Sequence, residues 1–307
     1  MEPLQNEHLK LEIKQFCCQL WSLPDVSISM PCSNPCSLMR KDIALLKTTQ
    51  YWVGEKTDGI RMFLLMGVYE DLTGNELTYS VLINRAFHIF NIVVKAPDEF
   101  YTGSLFDGEL VTKDDGEQIY VAFDTIVATG FSMTHCPQSQ RIEIARLAFD
   151  TFQFTRIQTM VKQWHPIQNA ATVYERAEHC DGLIFIPENG PLVNGTQHDT
   201  FKWKQAEKHT IDFIINATGT LYLMERGMTN DAYDGLGIML NPSDGVKTFI
   251  PRQGTQIVEC ECVKHGEKWI ATPIRVRDDK ERANSVAVAR ATLQNICENV
   301  QLTEIVI

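Results

Sequence analysis

Between Tyr51 and Val127 the chain is a succession of short apolar runs broken by turn residues. Tyr51–Val53, Ile60–Val68, Leu77–Ile83, Ala86–Ile92, Glu109–Val111 and Ile119–Val127 read as strands. Helical spacing brackets this region. Leu9, Ile13, Phe16, Cys17 and Leu20 predict an opening helix, and Ile142, Ala145, Phe149 and Phe152 predict another, with Ala170–Glu178 as a further helix. Leu183–Phe185 and Thr200–Lys204 return to strand, and Ser22–Met39, rich in Pro, Ser and Cys, reads as an irregular connector. After Lys208 the pattern changes. Ile211–Ile215, Leu221–Met224, Gly237–Leu240, Thr248–Ile250, Gln256–Val263 and Trp269–Val276 predict a small barrel of about five strands, which an OB-fold would fit. Val286, Ala289, Leu293, Ile296, Cys297 and Val300 then predict a closing helix. The expected fold class is α+β. Its parts are an opening helix and connector (residues 1–40), a strand-rich domain (41–208), the small barrel (209–282) and the closing helix (283–307).

The chain has 307 residues, 44% of them hydrophobic, enough for two cores. A formal net charge of -11 argues against a broad basic surface that coats nucleic acid, while leaving room for a local phosphate pocket. No apolar run is long enough to span a bilayer, and Met1–Lys14 is too polar for a signal peptide. Nine scattered cysteines do not form a secreted disulfide framework, so the expected location is cytoplasmic and not secreted. Cys32/Cys36 and Cys260/Cys262 lack partner pairs at zinc spacing and read as core or incidental thiols. Asn194-Gly195-Thr196 and Asn216-Ala217-Thr218 match the glycosylation sequon, which is uninformative without a secretory route.

Chemistry centres on Glu55-Lys56-Thr57-Asp58-Gly59-Ile60-Arg61, between two apolar runs. Lys56 held at a turn there could attack an electrophile, or Asp58-Gly59 could be only a hairpin turn. Asp115-Gly116, Asp234-Gly235 and Asp244-Gly245 read as ordinary turns. Gly54-Glu55-Lys56-Thr57 is not a P-loop, since the glycine does not adjoin the lysine. Phe106-Asp107-Gly108-Glu109 reads as a turn opening a strand with an acid at its start, and Cys180-Asp181-Gly182 has the same form. The bland alternatives are a hairpin with an exposed glutamate and a buried strand after a normal turn. In Thr200–Lys204, strict alternation puts Lys202 and Lys204 on one face and Phe201 and Trp203 on the other. Adjacent lysines on one face suit a bound anion or an exposed edge. Arg277-Asp278-Asp279-Lys280 alone reads as a solvated charge run.

In this order the segments resemble the motifs of the covalent nucleotidyltransferases, the superfamily of mRNA capping guanylyltransferases and ATP-dependent polynucleotide ligases. Lys56–Arg61 resembles motif I, Phe106–Leu110 motif III and Val121–Asp124 motif IIIa. Asp181–Ile184 resembles motif IV, Phe201–Lys204 motif V and Arg277–Lys280 motif VI. Asp-Gly in motif IV and the Arg-x-Asp-Lys form of motif VI resemble capping enzymes more than ligases. Arg85-Ala86, His209–Ile215, Ile257–Cys260 and Ala283-Asn284 look like the capping enzymes of large DNA viruses.

The resemblance implies a nucleotidyltransferase domain of ATP-grasp-like antiparallel sheets with helices, followed by an OB-fold domain. It implies that neutral Lys56 attacks the α-phosphorus of GTP, keeps GMP as a phosphoramidate, and passes it to a 5′-diphosphate RNA end as a GpppN cap. A lysine's ordinary pKa of about 10.4 opposes that first step, so nearby cations must favour the neutral amine. By motif position Arg61 and Glu109 hold the ribose, Phe123 stacks on guanine, and Arg85, Lys202 and Lys204 meet the α-phosphate. Asp181 places Mg²⁺ or Mn²⁺. Arg277, Asp279 and Lys280 belong to the nucleotide-binding set, with Arg277 and Lys280 reaching the β- and γ-phosphates when the small domain closes over GTP. No second catalytic constellation is visible, so RNA triphosphatase and cap methyltransferase activities are expected from other domains or proteins. The expected site of action is the cytoplasm, in a viral factory or virion if the chain is viral. An ATP-dependent RNA or DNA ligase using the same Lys56, or an inactive binding subunit, are the competing expectations.

Overall fold

The run Met62–Met66 is apolar on both faces, so a strand there must be covered twice. In the computed structural model, which describes residues 2–305 apart from 28, 72, 114, 178, 179 and 279, it is. Strand Ile60–Glu70 is flanked antiparallel by Glu76–Asn84 and Ser104–Thr112. Ile89–Asn91 and Gln118–Ala128 extend the sheet on either side, and Gln158–Val161 adds in parallel to the latter. One face packs Met62, Leu64, Phe106 and Tyr120 against Ile142, Ala145 and Phe149 of helix Gln138–Thr151. The other packs Phe63, Leu65, Val81 and Leu105 against Leu9, Ile13 and Cys17 of helix Glu7–Leu20, which Asn6 caps by accepting the Leu9 N–H. Both helices have the apolar stripe that their spacing predicts.

A second sheet runs in the order His165–Pro166, Tyr51–Thr57, Cys180–Pro187, Gly195–Trp203, Ser33–Ser37. Trp52, Ile184 and Ile186 of this sheet join the core under helix Gln138–Thr151. Ser33–Ser37 lies in the stretch expected to be irregular. Its pairing is long-range, and Pro35 is tolerated because the strand is at the sheet edge.

Five Asp-Gly pairs are not the turns they were expected to be. Asp58-Gly59 joins strands of different sheets, so the chain crosses there instead of reversing. Asp107-Gly108 lies inside strand Ser104–Thr112, and Asp181-Gly182 inside strand Cys180–Pro187. Asp-Gly favours a reversal only locally, and here sheet pairing overrides it. Gly116 does make the expected hairpin turn, whereas Asp234-Gly235 lies in the short helix Ala232–Leu236 and Asp244-Gly245 opens a 3-10 helix.

The chain forms two compact units: Met1–Cys36 with Ala44–Lys202, and Ser37–Ile43 with Trp203–Ile305. The opening helix, expected as a separate segment, thus belongs to the first. In the second unit a six-stranded sheet runs in the order Met228–Asp231, Leu221–Glu225, Thr210–Asn216, Thr255–His265, Lys268–Val276, Ile238–Leu240. About five strands were expected, and Met228–Asp231 was not among them. Thr248–Ile250, expected as a strand, falls in and just after the 3-10 helix Asp244–Phe249. Phe213, Leu223, Val258, Cys260, Trp269 and Ala271 pack against Ala289 and Leu293 of the closing helix Val286–Glu298, which Ser285 caps. Cys260 and Cys262 are free thiols facing this core.

Candidate active site

Lys56 occupies the last turn-ward position but one of strand Tyr51–Thr57, just before the chain crosses between sheets. Gly59 makes the crossing possible, because a Cβ there would stand 2.6 Å from the Leu110 carbonyl oxygen. The neighbouring strand pairs Cys180 with Thr57 and Leu183 with Glu55, so Asp181 and Gly182 together oppose Lys56. That is a β-bulge, a device that re-aims a side chain. The Asp181 carboxylate meets Lys56 Nζ at 2.9 Å, and both side chains are mostly buried.

On the large sheet Arg61 lies directly opposite Glu109. Arg61 donates from Nε to Asp107 Oδ1 at 2.9 Å, from Nη2 to Asp107 Oδ2, and from Nη1 to the Ser33 carbonyl at 2.8 Å. Burial works against its charge, but the Asp107 carboxylate outweighs this and holds the guanidinium above its ordinary range. Burial pushes the Asp107 carboxyl up, against the pull of Arg61. Glu109 is also pushed up by burial, opposed by Lys162, Lys56 and the Gly59 N–H. It is half-buried, not the exposed acid of the bland hairpin alternative. Arg85 is exposed just past strand Glu76–Asn84, and its charge is felt at Asp107.

Phe123 is placed by a second bulge. Gly108 pairs with Ala122 and Asp107 with Asp124, which leaves Phe123 as the extra residue of strand Gln118–Ala128. The bulge is pinned by Asp124, which accepts from Arg141 Nε at 2.8 Å and Nη2 at 3.2 Å in a buried pair. The guanidinium carbon of Arg61 is 5.6 Å from the Phe123 ring centroid.

Sequence reasoning passed over Lys162. Its Nζ donates to the Glu55 carbonyl at 2.9 Å and is 5.3 Å from the Phe123 centroid. Burial pulls its pKa down to about 8, although Glu109 and Glu55 oppose this. One lysine in Val161-Lys162-Gln163-Trp164 carries no pattern that would have singled it out. Asp212 was passed over too, but a charged residue inside the apolar strand Ile211–Ile215 was a usable signal.

Lys202 is half-buried between the buried Phe201 and Trp203, the alternation its sequence predicts. It closes the first unit, and Lys204, half-buried past the strand end, belongs to the second. Arg277 and Lys280 converge in the second unit on the buried Asp212. Arg277 Nη1 is 3.1 Å from Asp212 and 3.2 Å from Glu259, and Lys280 Nζ also pairs with Asp212. Asp279 lies outside the described residues. The first unit therefore gathers Lys56, Asp181, Arg61, Glu109, Phe123 and Lys162. The second gathers Arg277 and Lys280. The first set combines a lysine amine beside a carboxylate with an aromatic face and several cations, which suits a nucleotide.

A family model described as the catalytic domain of mRNA capping enzyme matches residues 3–206, and one for the C-terminal domain of mRNA capping enzyme matches residues 196–306. The mRNA-capping enzyme subunit alpha of Candida glabrata is 24% identical over 98% of this chain and 85% of that protein. That of Schizosaccharomyces pombe is 26% identical over 89% and 78%. The mRNA-capping enzyme of Danio rerio is 25% identical over 92% of this chain and 49% of its own length. Among solved structures, a Chlorella virus DNA ligase–adenylate aligns over 81% of this chain and 99% of that one, with 13% identity and a TM-score of 0.38, too distant to bear on function.

Proposed function

The chain belongs to the mRNA capping enzyme family and is a nucleotidyltransferase of the guanylyltransferase kind, and we propose that it carries GMP from GTP to the 5′-diphosphate end of RNA as a phosphoramidate on Lys56. The observation that carries this reading is Lys56 Nζ set 2.9 Å from Asp181, on the same unit as Glu109, Arg61, Phe123 and Lys162. Lys56 attacks the α-phosphorus, a nitrogen–phosphorus bond forms, and the bond to the pyrophosphate oxygen breaks. Asp181 holds the Lys56 amine in place, and the ammonium proton is lost to solvent before attack and regained when the RNA β-phosphate oxygen displaces the amine. Arg85, Lys202 and Lys204 favour negative charge on the α-phosphate.

Asp181 suits a hard divalent ion. Mg²⁺ is commonly held by one or two carboxylates plus waters and phosphate oxygens, and among the described residues no group of three or more His, Cys, Asp or Glu forms a protein cage. Mg²⁺ or Mn²⁺ held by Asp181 supplies charge neutralisation at the α-phosphate when bound. Phe123 offers the base a stacking face. Lys162 beside that face favours guanine, whose O6 accepts a hydrogen bond where adenine presents an amino donor. Arg61 and Glu109 take the ribose. In the second unit, which we read as an OB-type module, Arg277 and Lys280 orient the pyrophosphate leaving group, with Asp279 assigned to the same set.

The subunit designation of the fungal relatives supports a partner chain, and RNA triphosphatase and cap methyltransferase activities are assigned to other proteins. Among the described residues no helix is long and apolar enough to cross a membrane. Incubation with α-labelled GTP or ATP, with Mg²⁺ or Mn²⁺, tests this reading. A denaturation-resistant label from GTP alone supports it. A label from ATP alone would make the protein a ligase, and no label from either would make it a binding subunit.

A further inference from the structure

The N-terminal stretch that matched no motif touches both candidate arginines. Ser33 accepts from Arg61 Nη1 at 2.8 Å through its carbonyl, and Met30 N–H donates to the Arg85 carbonyl at 3.0 Å. On its other side the same stretch is tied to the second sheet. Cys32 N–H donates to Asn194 Oδ1 at 3.0 Å, and Gly195 N–H donates to the Cys32 carbonyl at 2.8 Å. Asn34 Nδ2 donates to the Gly195 carbonyl at 3.3 Å, and Ser33 Oγ donates to Gln197 Oε1 at 3.3 Å. Met30 and Cys32 are buried in the core beneath helix Glu7–Leu20.

We propose that Met30–Asn34 is a positioning strap for the nucleotide pocket, held in place by the side chains of Asn34 and Asn194. The inference rests on reading Arg61 and Arg85 as nucleotide-binding. Asp107 fixes two nitrogens of the Arg61 guanidinium from one side, and the Ser33 carbonyl fixes the third from another. A planar group held at all three nitrogens cannot rotate, so its remaining N–H donors point in one set direction before a ligand arrives. The Ser33 carbonyl stands where it does because the residues on either side of it are hydrogen-bonded to the loop at Asn194–Gly195. The Arg85 turn is held through the same stretch by Met30. Asn194 is one of the two sequon asparagines, and the role assigned to it here is to accept one backbone N–H. The strap thus couples the sheet that carries Arg61 and Arg85 to the sheet that carries Lys56 and Asp181.

A fork that is no longer preset lowers ground-state affinity for GTP and leaves the attack at Lys56 intact once GTP is bound. The test is the GTP dependence of single-turnover Lys56–GMP formation by the full chain. Asn34→Ala with Asn194→Ala should raise the half-saturating GTP concentration roughly tenfold and change the saturating rate by less than about twofold. Asn194→Asp keeps the acceptor for Cys32 N–H and should stay near wild type, even when Asn194→Ala does not. A rise in half-saturating GTP of the same size in Asn194→Asp as in Asn194→Ala overturns the proposal, because the lost acceptor would not be the cause. An unchanged GTP dependence in the double variant, or a fall only in the saturating rate, also overturns it. Loss of melting temperature without a change in GTP dependence makes the stretch a purely structural tie and overturns it too. Failure of the wild-type chain to form any adduct is a separate result, which refutes the pocket reading itself and takes the strap with it.

Discussion

Replacing Lys162 with methionine keeps the length and apolar stem of the side chain and removes its charge. The lysine is 8% exposed, and burial pulls its pKa from an ordinary 10.5 down to about 8. The unfolded chain keeps the ordinary value. Between about pH 8 and 10.5 the unfolded state therefore binds a proton that the folded state does not. Stability must rise with pH across that window, because the slope follows the excess of protons on the unfolded chain. The gap between the two values corresponds to roughly 3 kcal/mol, an upper figure for the gain across the window. At pH 7 the variant escapes that penalty but leaves the Glu55 carbonyl without its donor, a loss of about 1–3 kcal/mol, so the two effects oppose each other there. The slope is the clean observable. Urea unfolding of both proteins at pH 7 to 10.5 should show wild type gaining on Lys162→Met by about 2–3 kcal/mol. Parallel pH profiles would refute the argument, since they would mean that Lys162 titrates alike in the folded and unfolded chains. The same variant should lower the preference for GTP over ATP in adduct formation by roughly tenfold to a hundredfold.

Lys202→Ala and Lys204→Ala should each slow adduct formation by about a hundredfold with unchanged melting; wild-type rates in both would reduce the pair to surface charge. Arg277→Ala should slow Lys56–GMP formation by about a hundredfold, while pre-formed adduct passes GMP to diphosphate-ended RNA at the normal rate, because pyrophosphate has left by then. Equal slowing of both steps in single-turnover assays would remove that assignment. Gly108→Ala should destabilise the first unit by roughly 1–3 kcal/mol, because the added Cβ would lie 2.4 Å from the Tyr120 ring; denaturant midpoints check this.

The sequence was most legible where a local pattern and a long-range requirement coincided. The run through Met62–Met66 read as a strand, and it is one because both sheet faces are covered. Lys202 alternates with Phe201 and Trp203 as its period demands. Asp58-Gly59, Asp107-Gly108 and Asp181-Gly182 misled because the dipeptide encodes only backbone permissiveness. Whether the chain reverses, crosses or bulges there depends on strands far away in sequence. The Phe123 bulge is invisible in Val121-Ala122-Phe123-Asp124, since it comes from register with Ser104–Thr112. The stretch Met30–Asn34 looked irregular because the hydrogen bonds that place it go to distant partners. Lys162 was silent for the same reason: a buried lysine is recognised by its partners, and those lie on three other strands.

The central claim is that Lys56 is the nucleophile, and intact-protein mass spectrometry with peptide mapping after incubation with GTP and Mg²⁺ tests it most directly. One GMP per chain on the peptide containing Lys56, absent from Lys56→Arg and released by diphosphate-ended RNA, is the expected result. GMP mapped to Lys162, Lys202 or any other residue, or an adduct that persists in Lys56→Arg, would contradict it.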